Sequence, residues 1–137
     1  MSTRCCTPHV SIWTRARNTA ACERGRARTL GARTELAPGV TAIDVGGHSP
    51  GQLILAVETD GGPVVLASDA VHLYEEYERD RPFEVVADLA EMYRAYDVIR
   101  DLCRRPGAVM VPGHDPEVMD RFARLEGPAA GVAVRIA

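Results

Sequence analysis

The hydrophobic positions from residue 36 onward fall into short runs separated by turn residues, a pattern that predicts several strands. Residues 40–45 alternate between apolar and polar, as a half-buried strand does. Residues 53–57 form an unbroken apolar run, which is typical of a strand buried on both faces. Residues 64–67 and 108–111 are two further apolar runs next to glycine and proline. We therefore expect order to begin near residue 36, with a type II turn at Pro50-Gly51 and a hairpin turn at Asp60-Gly61-Gly62 between the second and third strands.

Two helices are predicted among these strands. Between residues 84 and 104, apolar residues recur at steps of three and four, which places them on one helix face that we expect in the core. They are Val85, Leu89, Met92, Tyr96, Ile99 and Cys103. Asp115 followed by Pro116 is typical of a helix start and predicts a short helix ending near Leu125.

The order of these elements predicts an α/β fold, an α+β layered unit of alternating strands and helices. Residues 71–82 mix aromatic and charged side chains, which favours a loop with one helical turn. Residues 131–136 are a last strand candidate.

Composition narrows the class of protein. A chain of 137 residues allows one domain or part of one, and 46% hydrophobic residues is ordinary for a globular protein. No run of ~18 apolar residues occurs and no secretory signal is visible, so we expect a cytoplasmic protein without a membrane partner. The four cysteines form no C-x-x-C pair, so no compartment that favours disulfides is required.

The first 33 residues differ in charge from the rest. Residues 1–33 hold seven arginines and one acid, a net +6, whereas residues 34–137 hold nine arginines and 18 acids, a net −9. An arginine-rich start resembles a transit peptide, and clustered arginines can bind nucleic acid. The apolar face is weak, however, and no aromatic residues interleave with the arginines. We therefore expect a basic, poorly ordered segment at 1–33, no nucleic-acid partner, and a partial domain at 34–137.

Three side chains that can bind a metal ion stand where predicted strands end. His48 lies in a glycine-rich loop between two strands, Asp69 follows the run 64–67, and His114 follows the last buried run. Two imidazoles and a carboxylate are good ligands for zinc and for other divalent transition metals. Each residue taken singly is more often a hydrogen-bonding or turn residue. The metal hypothesis therefore depends on whether the three side chains meet.

Three motifs in order resemble the metallo-β-lactamase superfamily, and most of all its N-acyl homoserine lactonase-like branch. They are Gly-His-Ser-Pro-Gly-Gln at 47–52, Leu-Ala-Ser-Asp-Ala at 66–70 and Val-Pro-Gly-His-Asp at 111–115. The likeness covers about residues 35–137. It implies an αβ/βα sandwich, of which this chain supplies the C-terminal half. It also implies a site for two metal ions, usually zinc.

The resemblance assigns roles to the three candidate ligands. His48 would complete the ligand set of the first metal, Asp69 would bridge both metals, and His114 would serve the second. The His-x-His-x-Asp-His motif of the family, which supplies the larger part of the ligands, is absent from these 137 residues. We therefore expect a lactonase-like hydrolase for a small lactone or ester that is truncated, holds at most one weakly bound zinc ion and is inactive alone. A frameshift or a late start codon would account for the missing motif.

His72 marks a departure from that branch, where well-known lactonases carry a tyrosine that assists the substrate carbonyl. Tyr74 or Tyr77 could take this role, although the simpler interpretation is that these aromatic residues line or cap the pocket. The candidate catalytic residues are thus Asp69, His72 and Tyr74. The alternative function is a non-catalytic remnant or interaction module that forms a homodimer or pairs with a separate N-terminal half.

Overall fold

Five strands form the main sheet of this computed structural model, which describes residues 30–137. They are β1 Arg33–Ala37, β2 Val40–Asp44, β3 Leu53–Val57, β4 Val64–Ser68 and β5 Val109–Pro112, and they lie side by side in that order. The prediction of a basic, poorly ordered arm falls almost entirely on residues 1–29, which lie outside the described residues. The domain boundary at residues 33 and 34 stays a prediction.

Strand direction decides which loops share an edge of the sheet. Neighbouring strands from β1 to β4 pair antiparallel, whereas β4 and β5 pair in parallel. Consequently β2, β4 and β5 all run in the same direction, and their carboxyl ends meet at one edge. The loops that leave this edge carry His48, Asp69 and His114.

The register of the strands builds one buried face. Ile43 lies opposite Ile54, and Val65 lies between Ala56 on one side and Met110 on the other. All five side chains are buried. The expected burial of β3 on both faces is wrong in part, because alternate residues of this strand are only half-buried.

In the described part of the chain, three α-helices lie outside the sheet: α1 Tyr74–Glu78, α2 Leu89–Leu102 and α3 Val118–Arg121. The single turn α1 confirms the helical turn predicted within residues 71–82. Helix α2 buries Met92, Tyr96 and Ile99 in the core, as the spacing of its apolar residues predicts. Cys103, which caps the carboxyl end of α2, is half-buried, and its burial raises the pKa of the thiol.

The predicted start of α2 at residue 84 is wrong. Asp88 caps the helix through its side chain, which accepts a hydrogen bond of 2.8 Å from the backbone N–H of Glu91. Residues 84–87 before this cap are not helical, and Val85 and Leu89, both expected in the core, are 58% and 52% exposed. The apolar periodicity could not show this, because the spacing of apolar residues continues on the N-terminal side of the cap, where the backbone is no longer helical.

The C-terminal elements are shorter than predicted. Helix α3 ends at Arg121 rather than near Leu125, because the chain turns extended and residues Ala123–Arg124 pair as β6 with β7, Val134–Arg135. A 3-10 turn at Gly127–Ala129 connects the two strands. The strand candidate at 131–136 is therefore confirmed only in its centre. Strand β1 was not predicted, because its mostly exposed side chains carry no apolar run.

The predicted turns are confirmed. Gly51 has a φ of +79°, and the N–H of Gln52 donates to the carbonyl of Ser49 at 3.0 Å, as a type II turn requires. The turn at Asp60-Gly61-Gly62 joins the antiparallel strands β3 and β4. Within the described part of the chain, no helix is long and apolar enough to cross a membrane.

The buried hydroxyl of Tyr96 yields a stability prediction. This oxygen has no hydrogen-bond partner among the described residues, and burial raises the pKa of Tyr96. Tyr96→Phe removes the unpaired group, whose burial costs about 1–3 kcal/mol. We expect the free energy of unfolding in urea to stay unchanged or to rise by about 1 kcal/mol.

Tyr74→Phe is the matched control for this substitution. The Tyr74 hydroxyl donates to the carbonyl of Met110 at 3.2 Å, so its removal should lower the free energy of unfolding by about 1 kcal/mol. An equal loss in Tyr96→Phe would show that the Tyr96 hydroxyl is also paired.

Candidate metal centre

The parallel pairing of β4 and β5 brings two of the predicted ligands into contact. Ser68 lies opposite Pro112 in the register, so the chain leaves both strands at the same level. Asp69 and His114 follow in the two loops, and Nε2 of His114 lies 2.8 Å from Oδ1 of Asp69. This distance places two of the three candidate ligands side by side.

Two backbone hydrogen bonds hold the loops together. The N–H of Gly113 donates to the carbonyl of Val71 at 2.8 Å, and the N–H of His114 donates to the carbonyl of His72 at 3.0 Å. A Cβ atom on Gly113 would lie only 2.7 Å from the carbonyl oxygen of Ser68. The loops can therefore approach this closely only because residue 113 has no side chain.

His72 joins Asp69 and His114 in a cluster. One ligand atom from each of the three residues lies within 4.8 Å of the others. The imidazole rings of His72 and His114 stack, with centroids 5.4 Å apart and planes inclined by 19°. Side-chain exposure rises from 12% at His72 to 39% at Asp69 and 61% at His114, so the cluster opens to solvent on the His114 side.

The donor set of this cluster fits a divalent transition-metal ion. Two imidazoles and one carboxylate are common ligands of zinc, and three protein ligands leave a coordination position open. Ligand atoms around one tetrahedral zinc ion lie about 3.4 Å apart, and the three ligand atoms of this cluster all lie within 4.8 Å of one another. Side-chain rotation, which is least restricted at the exposed His114, can adjust this spacing.

His48 lies beside the cluster rather than within it. Its ring centroid is 5.1 Å from that of His72, and the two ring planes are inclined by 67°. Its Nδ1 atom is buried without a hydrogen-bond partner among the described residues. Since an unpaired buried nitrogen is costly, this atom is one that a bound ligand could satisfy. Of the three candidate ligands at strand ends, Asp69 and His114 thus contact each other, and His48 lies beside the ring of His72.

The segment before α2 supports the loop that carries His48. The N–H of Ala87 donates to the carbonyls of Gly47 at 2.9 Å and of His48 at 3.2 Å. A carboxylate oxygen of Glu91, in the first turn of α2, accepts from the N–H of Gly47 at 3.3 Å. The capped start of α2 therefore also positions His48.

Glu76 is a residue of the site that the sequence analysis missed. It is 7% exposed, and its Oε2 atom accepts a hydrogen bond of 3.2 Å from the backbone N–H of His72. The same oxygen lies 3.5 Å from Nδ1 of His72, a contact without hydrogen-bonding geometry. The spacing of four residues between His72 and Glu76, at a predicted helical turn, is the signal that could have identified it.

Asp115 connects the His114 loop to α1. Its Oδ2 atom accepts from the N–H of Tyr74 at 2.7 Å, and its Oδ1 atom accepts from the N–H of Glu117 at 2.8 Å. The predicted role of Asp115 as the helix cap is wrong in position, because α3 begins only at Val118. Its carboxylate instead caps the turn before α3 and anchors the start of α1.

Tyr74, the third candidate catalytic residue, faces the core. Its side chain is 5% exposed, its hydroxyl donates to the Met110 carbonyl, and the guanidinium carbon of Arg121 lies 3.5 Å from its ring centroid. Burial raises the pKa of Tyr74. A catalytic role for Tyr74 stays a prediction, and its observed contacts are those of a packing residue.

Comparison with known proteins relates this chain to lactonases. No protein-family model matches the chain. It is 29% identical over 89 residues to the N-acyl homoserine lactonase AttM of Azorhizobium caulinodans, and the matched segment covers 64% of this chain. It is 42% identical over 50 residues to an N-acyl homoserine lactonase of a Bacillus species, and this matched segment covers 36% of this chain.

A solved structure shows the same likeness in three dimensions. An N-acyl homoserine lactone hydrolase with the product N-hexanoyl-L-homoserine at its catalytic metal centre matches 67% of this chain with a TM-score of 0.61 and 27% identity. This chain spans 34% and 20% of the two curated relatives and 37% of the solved chain. The resemblance to N-acyl homoserine lactonases and the metallo-β-lactamase fold predicted from the sequence are both confirmed.

The close contact at Gly113 generates a prediction about the site. Gly113→Ala places a Cβ atom 2.7 Å from the Ser68 carbonyl oxygen, so the two loops must separate. We expect a loss of about 1–3 kcal/mol in the free energy of unfolding and weaker binding of Co²⁺ in a spectroscopic titration. Gly61→Ala is the matched control, because its nearest neighbour would lie 3.8 Å away. Wild-type Co²⁺ affinity in Gly113→Ala would contradict this role.

Proposed function

We propose that this relative of N-acyl homoserine lactonases, with the metallo-β-lactamase fold, provides one side of a divalent-metal site for the hydrolysis of a small lactone or ester. The observation that supports the proposal is the meeting of Asp69, His72 and His114 at the carboxyl edge of the sheet. One similar enzyme has N-hexanoyl-L-homoserine bound at its catalytic metal centre. Acyl-homoserine lactones are therefore the first substrates to test.

The proposed roles follow from the placement of each side chain. Asp69 and His114 hold the ion at the solvent-facing part of the cluster, where a substrate can reach it. His48 lies beside the His72 ring, with ring centroids 5.1 Å apart, and is the fourth candidate side chain of the site. A divalent ion of this class polarises a carbonyl group and makes water a stronger nucleophile at neutral pH.

The number of ligands sets the expected occupancy. Three to four protein ligands are usual for one zinc ion, so the four candidate side chains can complete one shell and not two. We therefore propose one bound ion, with zinc as the first candidate, and no lactone hydrolysis by these 137 residues alone. Homodimerisation, pairing with a separate N-terminal half and a cytoplasmic location all stay predictions, and analytical ultracentrifugation checks the first.

Metal binding and turnover by the purified chain test this proposal. We expect about one zinc ion per chain by elemental analysis, and a loss of affinity of about 100-fold or more in His114→Ala and in Asp69→Asn. Hydrolysis of N-hexanoyl homoserine lactone, followed by proton release, should not exceed that of His114→Ala.

Asp97→Asn is the matched control for Asp69→Asn, because the Asp97 side chain is 74% exposed. The absence of zinc binding in the wild type would overturn the proposed site. Turnover that disappears in His114→Ala would instead contradict the proposed inactivity and show a complete active site.

A further inference from the structure

We infer that His72 is itself a ligand of the bound ion and that the buried carboxylate of Glu76 positions its imidazole for this role. The inference rests on the proposed metal site and goes beyond it. Lactonases of this branch carry a tyrosine at the corresponding position, so the resemblance alone assigns no ligand there. The geometry of this chain does, because a ligand atom of His72 lies within 4.8 Å of those of Asp69 and His114.

Three rings hold the imidazole of His72 in place. The centroid of its ring lies 4.7 Å from that of Phe83, 5.1 Å from that of His48 and 5.4 Å from that of His114. Only 12% of its side-chain surface is exposed. A side chain packed in this way loses little rotational freedom when it binds an ion, which favours tight binding.

The carboxylate of Glu76 explains which nitrogen binds. Only 8% of the Glu76 side chain is exposed, and a buried carboxylate is costly unless a partner compensates it. His72 supplies contacts to one oxygen, its backbone N–H at 3.2 Å and its Nδ1 atom at 3.5 Å. The Nδ1 contact lacks hydrogen-bonding geometry, but the nearby carboxylate charge favours a proton on Nδ1, and that tautomer leaves the lone pair of Nε2 free for a metal ion. Carboxylate, imidazole and metal in this order are a common arrangement in zinc proteins.

The competing role for His72 is to donate a hydrogen bond to the substrate carbonyl, as the tyrosine does in lactonases. That role needs no contribution to metal binding. The two roles therefore differ in metal affinity measured without any substrate.

Titration of the metal-free chain with Co²⁺, followed by visible absorption, distinguishes the two roles. His72→Phe keeps the packing of the ring and removes both nitrogens, and we expect its dissociation constant for Co²⁺ to rise about 100-fold or more. Glu76→Gln should raise the constant by about 10–100-fold, because it removes the partner of the imidazole. Glu75→Gln is the matched control on the same helix, since the Glu75 side chain is 60% exposed, and it should leave the constant unchanged.

The outcomes separate this inference from the proposed function. Wild-type affinity in His72→Phe, together with lost affinity in His114→Ala, would overturn the inference and leave the proposed site intact. A wild type that binds no Co²⁺ would overturn both. Unchanged affinity in Glu76→Gln would overturn the positioning role of Glu76.

A second measurement decides the question should His72→Phe fail to fold. Co²⁺ shifts the imidazole N–H proton signals of its histidine ligands far outside the normal NMR range. We expect two such signals, from His72 and His114, and both should persist in His48→Phe. A single shifted signal in that variant would overturn the inference.

Discussion

The close approach of the loops after β4 and β5 is the constraint on which the rest of the site depends. Parallel pairing places the two strand ends at the same level, and Gly113 lets the second loop pass against the Ser68 carbonyl. Ser68 has a φ of 48°, a left-handed conformation that costs about 1–2 kcal/mol for a residue with a side chain. The turn made there directs the chain toward Asp69. The hydrogen bonds from Gly113 and His114 help to offset this cost.

Burial divides the cluster into an enclosed and an exposed side. His72 is enclosed by aromatic rings and by Glu76, whereas His114 is mostly exposed. An ion bound between them would have one ligand already placed and one free to adjust, with its open position toward solvent. An imidazole at residue 72 thus places a further nitrogen donor beside Asp69 and His114.

The sequence predicted strands and turns correctly where their conformation depends on residues that are neighbours along the chain. The apolar runs of β2 to β5 and the turns at Gly51 and Gly61 depend on neighbouring residues, and all of them were predicted. The start of α2 depends instead on Asp88 and on hydrogen bonds to Gly47, a residue about 40 positions away. Val85 and Leu89 continue the helical apolar spacing, but they precede or begin the helix and are exposed. A periodic pattern cannot reveal such a distant contact.

The sequence by itself determined strands β2 to β5, most of the helical core stripe, the three candidate ligands at strand ends and the resemblance to lactonases. Each of these depends on residue type and spacing along the chain. Only the tertiary structure decided that His72 lies with Asp69 and His114, that His48 lies one ring away, and that Glu76 is buried against the imidazole. The physical reason is that strand pairing and ring packing set these distances, between residues as far apart in the sequence as 69 and 114.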